Sequence, residues 1–322
     1  MPIFSDALQK NRDADSQSAC HHRDFLALNR TGFHRVAYTE WEPAESGPES
    51  SVPAADRGCR EGRTVVCVHG LTRNGRDFDP LAGELAQGGW RVICPDVVGR
   101  GKSDWLADAA GYEYSQYQSD MAGLLARLNV ATVDWVGTSM GGLIGLLLAA
   151  RPQSPIRRLV LNDVGPQVPR AALERIGSYV GNDPSFASLE ALEAEIRTLY
   201  AGFGSLSDGQ WQHLARFSAR FRPDGRLGLA YDPTIAKSFA NLPAGDVMLW
   251  PMWDALRCPV LVIRGENSDL LLPETVIEMR RRHPETAFHL VPDAGHAPAL
   301  MDSETIGVIR DFLNPPGQPP GA

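Results

Sequence analysis

Apolar positions along the chain come in two rhythms. Short, mostly apolar runs rich in β-branched residues occur at Thr64–Val68, Trp90–Cys94, Thr132–Val136, Arg158–Leu161, Pro259–Arg264 and Ala287–Val291. Strands buried on both faces of a parallel sheet read this way, whereas a sheet with one wet face alternates. The stretches between them carry helical signals. Asp79 stands as an N-cap before Pro80, with Gly88-Gly89 closing that helix. Ser115–Leu128 is amphipathic, and Met140–Arg151 runs apolar until Pro152 stops it. Strand and helix in alternation predict an α/β fold: a mostly parallel sheet with helices on both faces. Ahead of it, Phe25–Leu28 and Phe33–Thr39 flank the turn Asn29-Arg30-Thr31-Gly32 and read as an edge hairpin.

The strand rhythm stops between Gln167 and Arg257. Helical segments replace it at Arg170–Val180, Leu189–Tyr200, Asp208–Arg220 and Thr234–Asn241, separated by Gly, Pro and Asp-Pro signals. Strand and helix then resume, with helices at Glu274–Arg282 and Ser303–Leu313. The expected organisation is a core of residues 23–166 and 258–314. A helical cap, 167–257, is inserted before the last two core strands, over the sheet edge where ligands bind in open α/β sheets. Residues 1–22 and 315–322 are expected as flexible tails, and Glu42–Arg63, with three prolines, as a surface loop.

Composition changes this picture mainly by exclusion. The 322 residues are 43% hydrophobic and 22% charged, an ordinary globular balance. A net charge of -8 speaks against a nucleic-acid partner, and the basic run Arg280–Arg282 reads as a solvated helix end. No apolar run approaches the roughly 20 residues of a membrane span, and the N-terminus has no apolar signal core. With no membrane partner expected, the location expected is cytoplasmic. The five cysteines form no C-x-x-C pair and read as free thiols, and His21-His22 has no further ligand near it in sequence, so no metal is expected. Gly101-Lys102-Ser103 imitates the end of a phosphate-binding loop, but Asp96 stands where that loop needs glycine. Gly99-Arg100-Gly101 fails as a dinucleotide fingerprint at Asp104, so no cofactor is expected.

The candidate chemistry centres on Gly137-Thr138-Ser139-Met140-Gly141-Gly142, between a strand and a helix. A strand that turns this sharply into a helix strains its corner residue, and only small neighbours leave it room. Ser139 is that corner. A serine hydroxyl needs a base, and histidine has the pKa for it. His296 follows the strand ending near Val291 and so emerges at the same edge of the sheet. His69, also at a strand end, lies beside another loop and reads as structural. The base in turn needs a carboxylate. Asp269 follows the first strand after the cap; Asp163, at the end of the strand before the cap, is the alternative.

His69-Gly70, the elbow at Gly137–Gly142, a cap after Asp163, Gly265-Glu266-Asn267-Ser268-Asp269 and Asp293-Ala294-Gly295-His296 together resemble the α/β-hydrolase superfamily, from about Phe25 to Leu313. The resemblance implies a Ser139, Asp269, His296 triad in the chain order of that fold, with an oxyanion hole from the backbone NH groups of Leu71 and Met140. It implies a cofactor-independent serine hydrolase acting on a small-molecule ester, thioester or lactone through an acyl-enzyme on Ser139. A C–C hydrolase of ring-fission diketones and a non-catalytic binding protein are the alternatives. Arg73, Arg216 or Arg220 could meet an acidic substrate group. Of Phe203, Trp211, Phe217, Phe221 and Trp250, most are expected to form the core of the cap and some to line a pocket.

Overall fold

A computed structural model describes residues 20–44, 63–240 and 242–314. Most of the two expected tails, most of the 42–63 loop and Cys59 lie outside the described residues. Cys20–His22, expected in the first tail, instead belong to strand β1 (Cys20–Asn29), which pairs along its full length with β2 (Gly32–Trp41) as an antiparallel hairpin.

The core strands follow as β3 (Thr64–Val68), β4 (Arg91–Pro95), β5 (Val133–Thr138) and β6 (Ile156–Asn162). Short strands β7 (Gln167–Val168), β8 (Ala219–Phe221), β9 (Leu227–Leu229) and β10 (Val247–Met248) come next, and then β11 (Val260–Gly265) and β12 (Ala287–Val291). The eight-stranded sheet runs β1-β2-β4-β3-β5-β6-β11-β12. Its β1–β2 and β2–β4 pairings are antiparallel, and every later pairing is parallel.

The helices are α1 (Asp79–Gln87), α2 (Tyr114–Leu128), α3 (Met140–Ala149), α4 (Arg170–Tyr179), α5 (Leu189–Leu199), α6 (Asp208–Ser218), α7 (Trp250–Asp254), α8 (Pro273–Arg282) and α9 (Ser303–Leu313). Asp79 is the first residue of α1 rather than its cap. A 3-10 turn over Gly75–Phe78 precedes it, and its carboxylate takes Arg76 instead.

Alternation within each strand explains the unbroken apolar runs. Val65 and Cys67 point into one core layer with Leu81 and Leu85 of α1 and Ile306 and Ile309 of α9. Val66 and Val68 point into the other, with Met121 and Leu124 of α2, Ile144 and Leu146 of α3 and Met279 of α8. Successive side chains of a strand face opposite sides, so a strand sandwiched between two helical layers must be apolar at every position.

Because β6 and β11 are neighbours, residues 167–257 leave the sheet and return to it without interrupting it. That stretch holds α4 to α7 and two small antiparallel pairings, β7–β10 and β8–β9, which helical periodicity did not reveal. Pro233–Phe239 is 3-10 where an α-helix was expected. No helix among the described residues is long and apolar enough to cross a membrane, and no group of three or more His, Cys, Asp or Glu among them could hold a metal ion.

Candidate active site

The C-terminal ends of parallel strands share one edge of the sheet, and the candidate residues gather there. Ser139 is the turn between β5 and α3, with φ +50° and ψ −113°, a backbone conformation that costs roughly 1–3 kcal/mol in a non-glycine residue. The glycines around it are a steric necessity. A Cβ on Gly137 would meet the Gly141 carbonyl carbon at 2.4 Å, one on Gly141 the Val68 carbonyl oxygen at 2.0 Å, and one on Gly142 the Val164 side chain at 2.5 Å. Buried Trp135 braces the first turn of α3 from below, its indole NH donating to the Gly141 carbonyl at 3.0 Å.

Ser139 Oγ lies 2.9 Å from His296 Nε2, and His296 Nδ1 lies 2.7 Å from Asp163 Oδ2. A carboxylate can only accept, so Nδ1 carries the proton and Nε2 is left to accept the serine hydroxyl. Asp163 is fully buried. Its Oδ1 accepts from the Gly265 NH at 2.9 Å and its Oδ2 from the Ser268 hydroxyl at 2.6 Å, so both oxygens have donors in place. It sits just beyond β6 at φ +54°, a left-handed conformation that aspartate tolerates better than most residues.

The carboxylate on the histidine is therefore Asp163, not Asp269, and the reason lies in the shape of the loop after β11. Buried Arg264 pins that loop by donating to the Leu271 carbonyl at 2.7 Å. Ser268 turns inward, accepts the NH groups of Leu270 and Leu271, and reaches Asp163. Asp269, the next residue, is thrown outward. Its carboxylate is about half exposed and is held by Arg175 Nε and Nη2 at 2.5 and 2.8 Å.

The loop after β3 carries the Gly70–Leu71 peptide. His69 is completely buried, and burial pushes its pKa down to about 3, so the ring is neutral. Its Nε2 accepts the Val97 NH at 2.9 Å, which leaves Nδ1 to donate to the Gly70 carbonyl at 2.7 Å. The Arg73 NH donates to the same carbonyl at 3.1 Å. In a trans peptide the NH points opposite to the C=O, so these bonds also fix the direction of the Leu71 NH. Arg100, buried and not singled out by its sequence context, donates to the Leu71 carbonyl at 2.8 Å. Met140 opens α3, where a backbone NH has no partner within its own helix.

Ser139 and His296 line a cleft open to solvent, about 740 Å³ of atom-free space when the open solvent at its mouth is included. Leu71, Thr72 and Arg73 form part of its wall; the insertion supplies Arg175, Ile176, Tyr179, Leu199, Tyr200 and Phe203. Hydrogen bonds tie the insertion down on both sides of the histidine. Gly295 N donates to Gly202 O at 2.7 Å and Ala299 N to Phe203 O at 3.1 Å. Tyr200 and Thr72 share a hydroxyl–hydroxyl bond of 2.9 Å, and Asn74 donates to the Phe217 carbonyl at 2.9 Å.

Arg73 is not a free loop arginine. It forks onto Asp77 at 2.8 and 2.7 Å, donates to Ser218 at 2.7 Å and stacks over Tyr200. Arg220 holds Asp183 and the Leu229 carbonyl, and Arg216 stacks on Phe217. Of the cap aromatics, Trp211 is buried, Phe221 is exposed and Phe203 lines the cavity. Gly265 and Ser268 were read in the sequence only as parts of the Gly265–Asp269 turn, not as partners of Asp163, and nothing in the sequence marks Arg175.

A serine at a strained strand-to-helix turn on a mostly parallel sheet, with a histidine and a buried aspartate in line behind it, is an arrangement that suits a hydrolase of α/β type. The family model for the alpha/beta hydrolase fold matches residues 63–302, and the chain belongs to that family. It is similar to a 3-hydroxybutyrate-oligomer hydrolase of Cupriavidus necator, with 47% identity over 89% of this chain and 95% of the relative. A solved alpha/beta hydrolase of Novosphingobium aromaticivorans superimposes with a TM-score of 0.78 at 34% identity, covering 92% of this chain and 98% of its own. More distantly, a 2-hydroxymuconate semialdehyde hydrolase of Pseudomonas putida is 28% identical over 69% of this chain and 76% of the relative. The protein is an enzyme, a hydrolase.

Proposed function

We propose that the enzyme hydrolyses carboxylic esters of short hydroxy acids, 3-hydroxybutyrate oligomers foremost, through an acyl-enzyme on Ser139. The observation that carries the reading is the unbroken Ser139–His296–Asp163 hydrogen-bond line at the floor of the cavity. Ser139 Oγ attacks the ester carbonyl while its proton passes to His296 Nε2, and Asp163 stabilises the imidazolium. The NH groups of Leu71 and Met140 receive the developing oxyanion. The imidazolium then protonates the departing alkoxide. Water, deprotonated by the same histidine, releases the acid.

Residues 167–257 serve as the cap, its aromatic wall over Ser139 sized for compact acyl groups rather than long lipid chains. The 47% identity to an oligomer hydrolase supports the choice of ester among the bonds this machinery can break. A fluorophosphonate probe tests the nucleophile: it should label wild type at Ser139 and leave Ser139→Ala unlabelled and inactive on the linear 3-hydroxybutyrate dimer. Ester inertness combined with cleavage of a ring-fission diketone would replace the reading with C–C hydrolysis.

A further inference from the structure

Apart from the two histidines, the charged side chains lining the cavity are Arg73, Asp77 and Arg175, two cations against one anion. Arg73 and Asp77 answer one another through two hydrogen bonds, and Arg73 spends a third donor on Ser218. The remaining charge of the wall is Arg175, on α4 of the insertion.

Its partner does not belong to the cavity. Asp269 lies outside the lining, on the loop after β11, and grips Arg175 through both carboxylate oxygens. The two side chains are 43% and 51% exposed. An ion pair this open to water contributes little, so an incoming carboxylate displaces it at little cost. Its forked geometry nevertheless demonstrates the fit, because a guanidinium presents paired donors that match a carboxylate. Asp269 engages Arg175 through Nε and Nη2, while Arg175 is itself part of the cavity wall, so a carboxylate entering the cavity meets the same guanidinium.

We propose that Arg175 is the receptor for a free carboxylate on the substrate, which exchanges with Asp269 and aligns the scissile ester over Ser139. The proposal rests on the ester-hydrolase reading and deepens it. The favoured substrates are hydroxy-acid esters that end in a carboxylate, such as linear 3-hydroxybutyrate dimers, rather than the same molecules capped as alkyl esters.

The test is the ratio of kcat/KM for the linear 3-hydroxybutyrate dimer to that for its methyl ester. Wild type should favour the free acid about tenfold or more. Arg175→Gln should erase that preference, through a roughly 10- to 100-fold rise in KM for the acid, the worth of one or two charged hydrogen bonds. Arg175→Lys should restore part of it. Asp269→Asn removes the competing carboxylate and should lower KM for the acid without lowering it for the methyl ester. Turnover of p-nitrophenyl butyrate by wild type with no preference for the acid, or a preference that survives Arg175→Gln, overturns the assignment of Arg175 alone. Failure of wild type to cleave either dimer or p-nitrophenyl butyrate overturns the ester reading and this one with it.

Discussion

Replacing Asp163 with asparagine discriminates sharply between the two carboxylates the sequence offered. Asp163 is surrounded by donors: the Gly265 NH on Oδ1, and the Ser268 hydroxyl and His296 Nδ1 on Oδ2. Asparagine is nearly isosteric but has one acceptor end and one donor end. With its oxygen toward His296, its NH2 would face the Gly265 NH, donor against donor in a buried site. The other orientation satisfies Gly265, lets the Ser268 hydroxyl rotate, and points the NH2 at His296 Nδ1. The imidazole must then carry its proton on Nε2, where it can no longer accept from Ser139. Holding the base in the wrong tautomer should lower kcat by about 10³ to 10⁴, equivalent to roughly 4–5.5 kcal/mol of transition-state stabilisation. Asp269→Asn loses an exposed ion pair with Arg175 and should cost less than about tenfold in kcat. Both variants are to be measured with p-nitrophenyl butyrate, with circular dichroism confirming the fold. An Asp163→Asn enzyme within tenfold of wild type, or a thousandfold loss in Asp269→Asn, would refute the assignment.

Stability should depend on pH through His69. Its folded pKa of about 3 lies below the ordinary 6.5, so between those values the unfolded chain binds the extra proton. Stability contributed by keeping this ring neutral is therefore complete above about pH 6.5 and lost as pH falls toward 3, with a slope of up to about 1.4 kcal/mol per pH unit. Urea unfolding at pH 5 and 7 measures it, and an unchanged slope in His69→Gln would exclude this histidine as the source. Gly141→Ala places a Cβ 2.0 Å from the Val68 carbonyl oxygen. Backbone cannot step aside, so this change should destabilise by about 3 kcal/mol or more, read as a drop in Tm. Gly209→Ala, in α6 with nothing within 4 Å of the new Cβ, should leave Tm level or raise it.

Residues near one another in the chain carried most of what could be read in advance. The unbroken runs at β3, β5 and β11 follow from burial on both faces, and the glycines at 137, 141 and 142 follow from the tightness of a single turn. Ser139 and His296 sit in strand-end turns whose spacing is local, so their arrival at the same edge of the sheet was legible. The insertion was legible as an absence of strands, although its short pairings, β7–β10 and β8–β9, were not, because two- and three-residue strands have no periodicity to detect.

Which carboxylate meets His296 belonged to the tertiary structure alone. Asp163 and Asp269 follow β6 and β11, adjacent strands with Asn162 opposite Ile263, so both reach the neighbourhood of His296. Which of them turns inward depends on Arg264 pinning the Leu271 carbonyl and on Ser268 filling the interior position. The pairing of Arg175 with Asp269 was likewise out of reach, since it joins an inserted helix to a core loop across a sheet edge. Side-chain type and local spacing decide which groups can do chemistry at a strand end. Only the packing of separate loops against one another decides which carboxylate is buried beside the histidine and which is left at the surface.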